Sequence, residues 1–410
     1  MKKLSLFLAA ALLTAAVSPI GVSASDTEEL TYSDSVDWDK FRGQNITINV
    51  YNWGEYISVD DGTEGAFDTN RAFEELTGID VNYTNFASNE ELYAKLKNGG
   101  SSYDIIIPSD YMIARMINEN MLEKLDYSNI PNFELLISDD FKGMDYDPND
   151  EYSVPYMWGM VGLIYNTTLV DPEDDVYSWN ILWNEKYAGD ILMFSNSRDA
   201  FMIAEKYLGY SMNTTDEQEL RHAASALTDQ KLLVQAYVMD EIFDKMIGGE
   251  AALAPYYAGD ALTMIADNPE LAYAVPREGT NLFVDAMCIP KGAKNKEAAE
   301  LYINFMCETL VALRNCEYIG YSTPQKYVLD YLDPELANDP IAYPDEATLA
   351  NTEAFIALPN ATTQLIDELW TSILTASEAE PWTIPVFLLA CLGLSIGINV
   401  YRQVKKKRNV

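Results

Sequence analysis

The chain has 410 residues, 48% of them hydrophobic, with 64 acidic against 27 basic residues and a formal net charge of −37 at pH 7. That length buries a large core and points to two lobes rather than one. The charge makes nucleic acid and anionic lipid poor partners and draws in cations, although general acidity for solubility explains the charge taken alone.

Residues 1–24 start with Lys2 and Lys3, continue as an apolar run and end in Val-Ser-Ala, the layout of a secretory signal peptide. No cysteine follows for lipid attachment. Residues 25–44 are acidic and polar and read as a linker. "NITINVYNW" then alternates as a strand, "TNRAFEELTG" is a short amphipathic helix stopped by Gly78, and "IDVNYTNF" is a second strand. "SNEELYAKLKNG" is a helix with Ser88 or Asn89 as N-cap, and "YDIIIPSDY" is a continuous apolar strand that breaks at Pro108. Strands alternating with helices at this spacing predict βαβ units and a parallel sheet, where ligands bind at the carboxyl ends of the strands. The aromatic "YNWGEYI" and the "PSDY" both fall at such ends.

The same style continues through "VPYMWGMVGLIYN", "GDILMFSNSRDAF", "AALAPYYAGDALTM" and "NLFVDAMCIPKGAKN". Trp179 and Trp183, four residues apart, read as packing of a second lobe, and Trp158 as packing near the crossing between lobes. "KEAAELYINFMCETLVALRNC" predicts one long helix, and residues 340–375 mix helix and loop. Trp382–Tyr401 carries no charge and precedes "RQVKKKR", which predicts a transmembrane helix over 382–401 with a basic cytoplasmic tail over 402–410. The four cysteines show no metal spacing; Cys307 and Cys316 are either a disulfide or two buried thiols.

An enzyme is disfavoured. The single histidine, His222, sits in a polar helical stretch, and neither HExxH, a Gly-rich phosphate loop nor a Cys/His zinc set is present. No cofactor or metal is expected.

From about residue 46 to about 370 the chain resembles the extracytoplasmic spermidine/putrescine-binding proteins of polyamine ABC importers. The landmarks are "YNWGEYI", "SNEELYAKLK", "YDIIIPSDY", "YSVPYMWG", "SWNILWNEKYAGDI", "LGYSMNTTD", "YAGDA", "KNKEAAELYINF" and "IGYSTPQ". The resemblance implies an α/β, two-lobe periplasmic-binding-protein-like fold of type II with a ligand cleft between the lobes. Lobe 1 is expected at 45–160 plus 284–329, and lobe 2 at 161–283 plus 330–375. It also implies a polyamine ligand and, as partners, an ABC permease with its ATPase subunits, at the outer face of the membrane.

A polyamine is a methylene chain carrying ammonium groups, so its site needs aromatic faces for the chain and carboxylates for the charges. On the matched motifs, Trp53 and Tyr56 are expected as walls, with Gly54 where the family more often has a hydroxyl residue. Glu55 either pairs an ammonium or is exposed. Ser109 and Tyr111 match contact positions, and Asp110 beside them is a contact, an N-cap or a turn residue. Asn196 replaces the first member of an acidic pair whose second is Asp199, which alternatively caps a helix starting at Ala200. Tyr257 and Phe283 replace tryptophan walls, Tyr321 matches a further wall, and a glutamine of the family is replaced near Phe355. Asp285 matches the central amine carboxylate, and Asp260 matches a carboxylate of putrescine-preferring relatives. Asp260 and Asn196 together favour putrescine over spermidine. The alternative is a membrane-anchored sensory or binding ectodomain of the same fold for another small organic cation or solute.

Overall fold

The computed structural model describes residues 30–376 except 64, 100 and 101. The expected signal peptide at 1–24 lies outside them. The strands are β1 (Thr47–Trp53), β2 (Asp80–Phe86), β3 (Ile105–Ile106), β4 (Ser153–Asn166), β5 (Ile191–Phe194), β6 (Val234–Val238), β7 (Leu253–Tyr257), β8 (Leu271–Ala274), β9 (Thr280–Cys288) and β10 (Thr352–Glu353). Their order is β2-β1-β3-β9-β4-β7-β5-β6, with β10 on β9 and β8 on β4.

The short elements form for local reasons. Asp68 caps the helix Thr69–Thr77 through the Arg71 amide at 2.9 Å, and Gly78 closes it at φ +73°. Ser88 caps Asn89–Lys97 through the Glu91 amide at 3.1 Å. In β1, Ile48 and Val50 face one core while Tyr51 faces another, the alternation that a sheet covered on both faces requires. The apolar stretch before Pro108 pairs as a strand for only two residues, because proline brings no amide to extend the ladder.

Two strands join the lobes. The first half of β4 runs antiparallel to β9, from Ser153 against Cys288 to Met160 against Leu282. From Val161 onward β4 pairs instead with β7. The lobe therefore changes in mid-strand. On one side a core gathers around Ile48, Phe73, Tyr302 and Phe305. On the other it gathers around Trp179, Phe194, Phe201 and Leu253. Leu332 belongs to the first core, Leu336 and Tyr343 pack on it, and only at Phe355 does the chain join the second, later than position 330.

Several expectations are corrected. Among the described residues no helix is long and apolar enough to cross a membrane; the helix closest to the C-terminal end of that region, Asn360–Thr375, has 16 residues. The fold class therefore holds as a two-lobe α/β fold without the added transmembrane helix, and the stretch at 382–401 lies outside the described residues. Residues 30–44 are not a free linker: Tyr32 and Trp38 pack edge-on and tilted against each other and Phe305, and Phe41 is buried. The expected long helix is two, Lys296–Met306 and Thr309–Ile319. Glu308 breaks it with a non-helical backbone, and its buried carboxylate accepts from the Ser33 amide and the Asn132 side chain. Cys307 and Cys316 are separate buried thiols.

Trp179 is fully buried and donates its ring N–H to the Gly279 carbonyl at 3.0 Å. Trp179→Ala should lower the unfolding free energy by about 3–5 kcal/mol in urea titrations; a loss under about 1 kcal/mol would remove it from the core that holds lobe 2 together.

Candidate functional site

The carboxyl ends of the parallel strands converge on one cavity. After β1 come Trp53, Gly54 and Tyr56; after β2, Asn89 and Glu90; after β3, Ser109 and Tyr111. After β5 come Asn196 and Asp199, after β6 Met239 and Asp240, and β7 ends in Tyr256 and Tyr257. The long strand β9 contributes Asn281, Phe283 and Asp285 along its length. Asp260, Tyr321 and Phe355 complete the lining. The cavity volume is about 60 Å³. At 10–15 Å³ for each, that is a slot for roughly four to six waters, narrow and slender.

All eleven residues expected from the sequence line this cavity: Trp53, Tyr56, Ser109, Tyr111, Asn196, Asp199, Tyr257, Asp260, Phe283, Asp285 and Tyr321. Phe355 does as well. Two neighbours of the motifs stand apart. Asp110 is buried behind the wall, where it accepts from the Tyr111 amide at 2.6 Å and the Val284 amide at 3.4 Å, tying a helix start to β9. Glu55 lies outside the cavity, in a left-handed turn at φ +45°.

The aromatic rings brace one another. Tyr321 meets Tyr56 edge-on at 4.8 Å between centroids, and Tyr257 meets Phe283 edge-on at 5.5 Å. Gly320, at φ +73°, ends its helix and turns Tyr321 inward. The Tyr321 ring then occupies the space where a β-carbon on Gly259 would stand. Arg198 lies behind the wall, with its guanidinium 4.4 Å from the centroid of Phe355 and 5.6 Å from that of Tyr111.

The polar groups sort into satisfied and open ones. Asn196, not Asp199, caps the helix Ser197–Tyr207: its side chain accepts from the Asp199 amide at 2.9 Å and donates to the Asp199 carboxylate at 2.8 Å. Tyr257 donates to the same carboxylate at 2.7 Å. Tyr56 donates to Asp285 Oδ2 at 2.7 Å. The other oxygen, Asp285 Oδ1, is buried and makes no hydrogen bond of normal geometry, although the Ser109 hydroxyl is near enough to act on the carboxyl; Asn281 Oδ1 and Trp53 Nε1 are also buried without a partner. A buried, unpaired carboxylate oxygen is costly to keep.

The electrostatics follow from burial. Desolvation pushes Asp285 up to about 6, against the pull of the Ser109 and Tyr56 hydroxyls. Asp260 is held well above the usual carboxylate range by burial, opposed by the Tyr321 hydroxyl and reinforced by Asp240, Glu55 and Asp285. Asp199, Glu90 and Asp240 are raised for the same first reason. Buried acid groups without a cation hold on to their protons; a cation in the slot would release them.

The sequence did not single out Glu90, Asp240, Tyr256, Met239, Asn281 or Asn89. Tyr256 and Asn281 look like ordinary strand residues, and Glu90 like the first turn of a helix. Only the position after β6 offers a signal for Asp240, since every other parallel strand end supplies the cavity.

A two-lobed α/β chain whose strands deliver their carboxyl ends to a slot between the lobes has the build of a solute-binding protein. The chain belongs to the bacterial extracellular solute-binding proteins, whose family matches residues 70–344. The spermidine/putrescine-binding periplasmic protein of Escherichia coli is 35% identical over 343 residues, 83% of this chain and 91% of that protein. The putrescine-binding periplasmic protein of Pseudomonas aeruginosa is 29% identical, over 84% of this chain and 96% of that one. Among solved structures, the spermidine/putrescine ABC transporter substrate-binding protein of Streptococcus pneumoniae is 36% identical, covers 80% of this chain and 99% of its own, and has a TM-score of 0.66.

Because Asp285 is raised from 3.8 to about 6 in the folded chain, the folded state binds more protons than the unfolded one between those values. Its contribution therefore favours folding at low pH and is lost as pH rises through about 6. Unfolding of the ligand-free protein and of Asp285→Asn, compared from about pH 4 to 8, should show wild type losing more stability than the variant across that window. Parallel curves would contradict a raised Asp285.

Proposed function

We propose that the protein captures polyamines outside the cytoplasm and delivers them to an ABC permease, and that its slot holds putrescine more tightly than spermidine. The observation that carries this reading is Asp285: 4% exposed, with one carboxylate oxygen unpartnered. None of Asp285, Asp199, Asp260 and Glu90 is in a salt bridge among the described residues, and the cation that acts on Asp199, Arg198, stands behind the wall. Ammonium groups supply the missing donors and charge at once, while Trp53, Tyr257, Phe283 and Tyr321 cover the methylenes between them. A neutral sugar would leave the charges uncompensated, and an anion would add to them.

The preference for the shorter amine rests on the end lined by Asn196 and Phe355. There the Asn196 amide is already spent on the helix cap and on Asp199. Phe355 closes the wall with an apolar ring, backed by the fixed cation of Arg198. A third ammonium would meet less free charge at this end than a diamine meets at Asp285 and Asp260. The names of the relatives, one for spermidine/putrescine and one for putrescine, agree with the class of ligand. They are transporter components, and no reaction is assigned to the cavity.

Calorimetric titration against putrescine, spermidine, cadaverine and a neutral sugar tests this. One-to-one binding of putrescine, tighter than spermidine and absent for the sugar, is expected. Asp285→Asn should weaken putrescine by about 2–5 kcal/mol, since a buried ammonium loses its partner. A folded protein that binds the sugar but no amine would overturn the reading.

A further inference from the structure

Position 54 is glycine for reasons of space. Its backbone is not in the left-handed region, so conformation does not demand it. A β-carbon there would overlap the Asp240 carboxylate. That carboxylate comes from the other lobe, directly after β6. It makes no capping hydrogen bond to the helix it precedes. The charged groups that act on it are Glu55 and Glu241, both acidic. It lines the same slot as Asp260, and as the buried, unpartnered acceptors Asp285 Oδ1 and Asn281 Oδ1.

We propose that Asp240 is a specificity-determining residue of this cavity, a step that rests on the polyamine reading above. It stands in the space that a side chain at position 54 would otherwise fill, and with Asp260 it holds the outer ammonium of a diamine. A hydroxyl at 54 would offer a neutral acceptor from the first lobe whether the lobes are open or closed. Asp240 offers a charge from the second lobe, and it reaches Gly54 only when the lobes meet. In an empty protein, closure brings Asp240 beside Asp260 and Glu55 in a partly dry site, where burial favours the protonated, neutral carboxyl. A second ammonium takes the place of those protons and pairs with the outer carboxylates, so closure is favoured by a ligand with a second positive charge. A monoamine pairs with Asp285 and leaves the outer carboxyls protonated.

The test is titration of wild type, Asp240→Asn, Gly54→Ser, Asp240→Ala and the double variant Gly54→Ser/Asp240→Ala with putrescine and with butylamine. Asp240→Asn should weaken putrescine about tenfold and change butylamine by less than about twofold, because only the diamine reaches the outer pole. Gly54→Ser should weaken putrescine by a similar factor in wild type and cost under about twofold more in the Asp240→Ala background, where the space is free. Wild-type affinity for putrescine in Asp240→Asn, or the same loss from Gly54→Ser with and without Asp240, would overturn the proposal while amine binding by wild type stands. If wild type binds no amine, the polyamine reading falls and this inference with it.

Discussion

Removing a carboxylate from water costs several kcal/mol unless something positive replaces the lost hydration. The slot between the lobes gathers Glu90, Asp199, Asp260 and Asp285 without a fixed cation inside it. The fold tolerates this through its helices. Glu90, Asp199 and Asp260 each sit in the first turn of a helix that begins at the slot, where the N-terminal end of the helix dipole offsets part of a negative charge, about 0.3–1 kcal/mol each and up to about 2 where partly buried. Hydroxyls from Tyr56, Tyr111 and Tyr257 take up further oxygens. What these devices leave uncompensated is available to a ligand with positive charges, and burial raises the pKa of each of these carboxyls for the same reason.

The same constraint explains why the site belongs to neither lobe. Trp53, Tyr56, Ser109 and Tyr111 follow β1 and β3, while Asp199, Asp240 and Tyr257 stand at the ends of β5, β6 and β7; Tyr111 packs on the second core, and Tyr257 touches both cores. Among the described strands, β4 and β9 run through both, and Asp285 lies on β9 itself. A ligand that pairs with carboxylates on both sides ties the lobes together, and a hinge carried by two strands lets them part. Binding and closure are then one event with one electrostatic cause.

How far the sequence revealed this differs from residue to residue. The strand-end placement of "YNWGEYI" and "PSDY" was readable because the helix and strand periods alternate cleanly up to Pro108. The eleven lining residues were readable only through matched motifs, because β9 and β7 meet β4 across 88 to 135 residues of chain and no local pattern encodes that pairing. Asp240 escaped because its role depends on an absence, the missing side chain of Gly54, in a segment far away. The break at Glu308 escaped for a related reason: the helical period of 296–319 continues through it, and the partners that hold it non-helical, Ser33 and Asn132, are distant in sequence. The acidic character of 25–44 concealed Tyr32, Trp38 and Phe41, three aromatic residues that dock the segment from residue 30 onward.

The central claim is that a bound diamine replaces protons on buried carboxylates. Calorimetry of putrescine binding near pH 6, repeated in two buffers with different ionisation enthalpies, measures this directly. Proton release on binding, smaller in Asp285→Asn, with that residue's share fading as pH rises above its raised value of about 6, is the predicted result. Binding without proton exchange anywhere from about pH 5 to 8 would contradict the account.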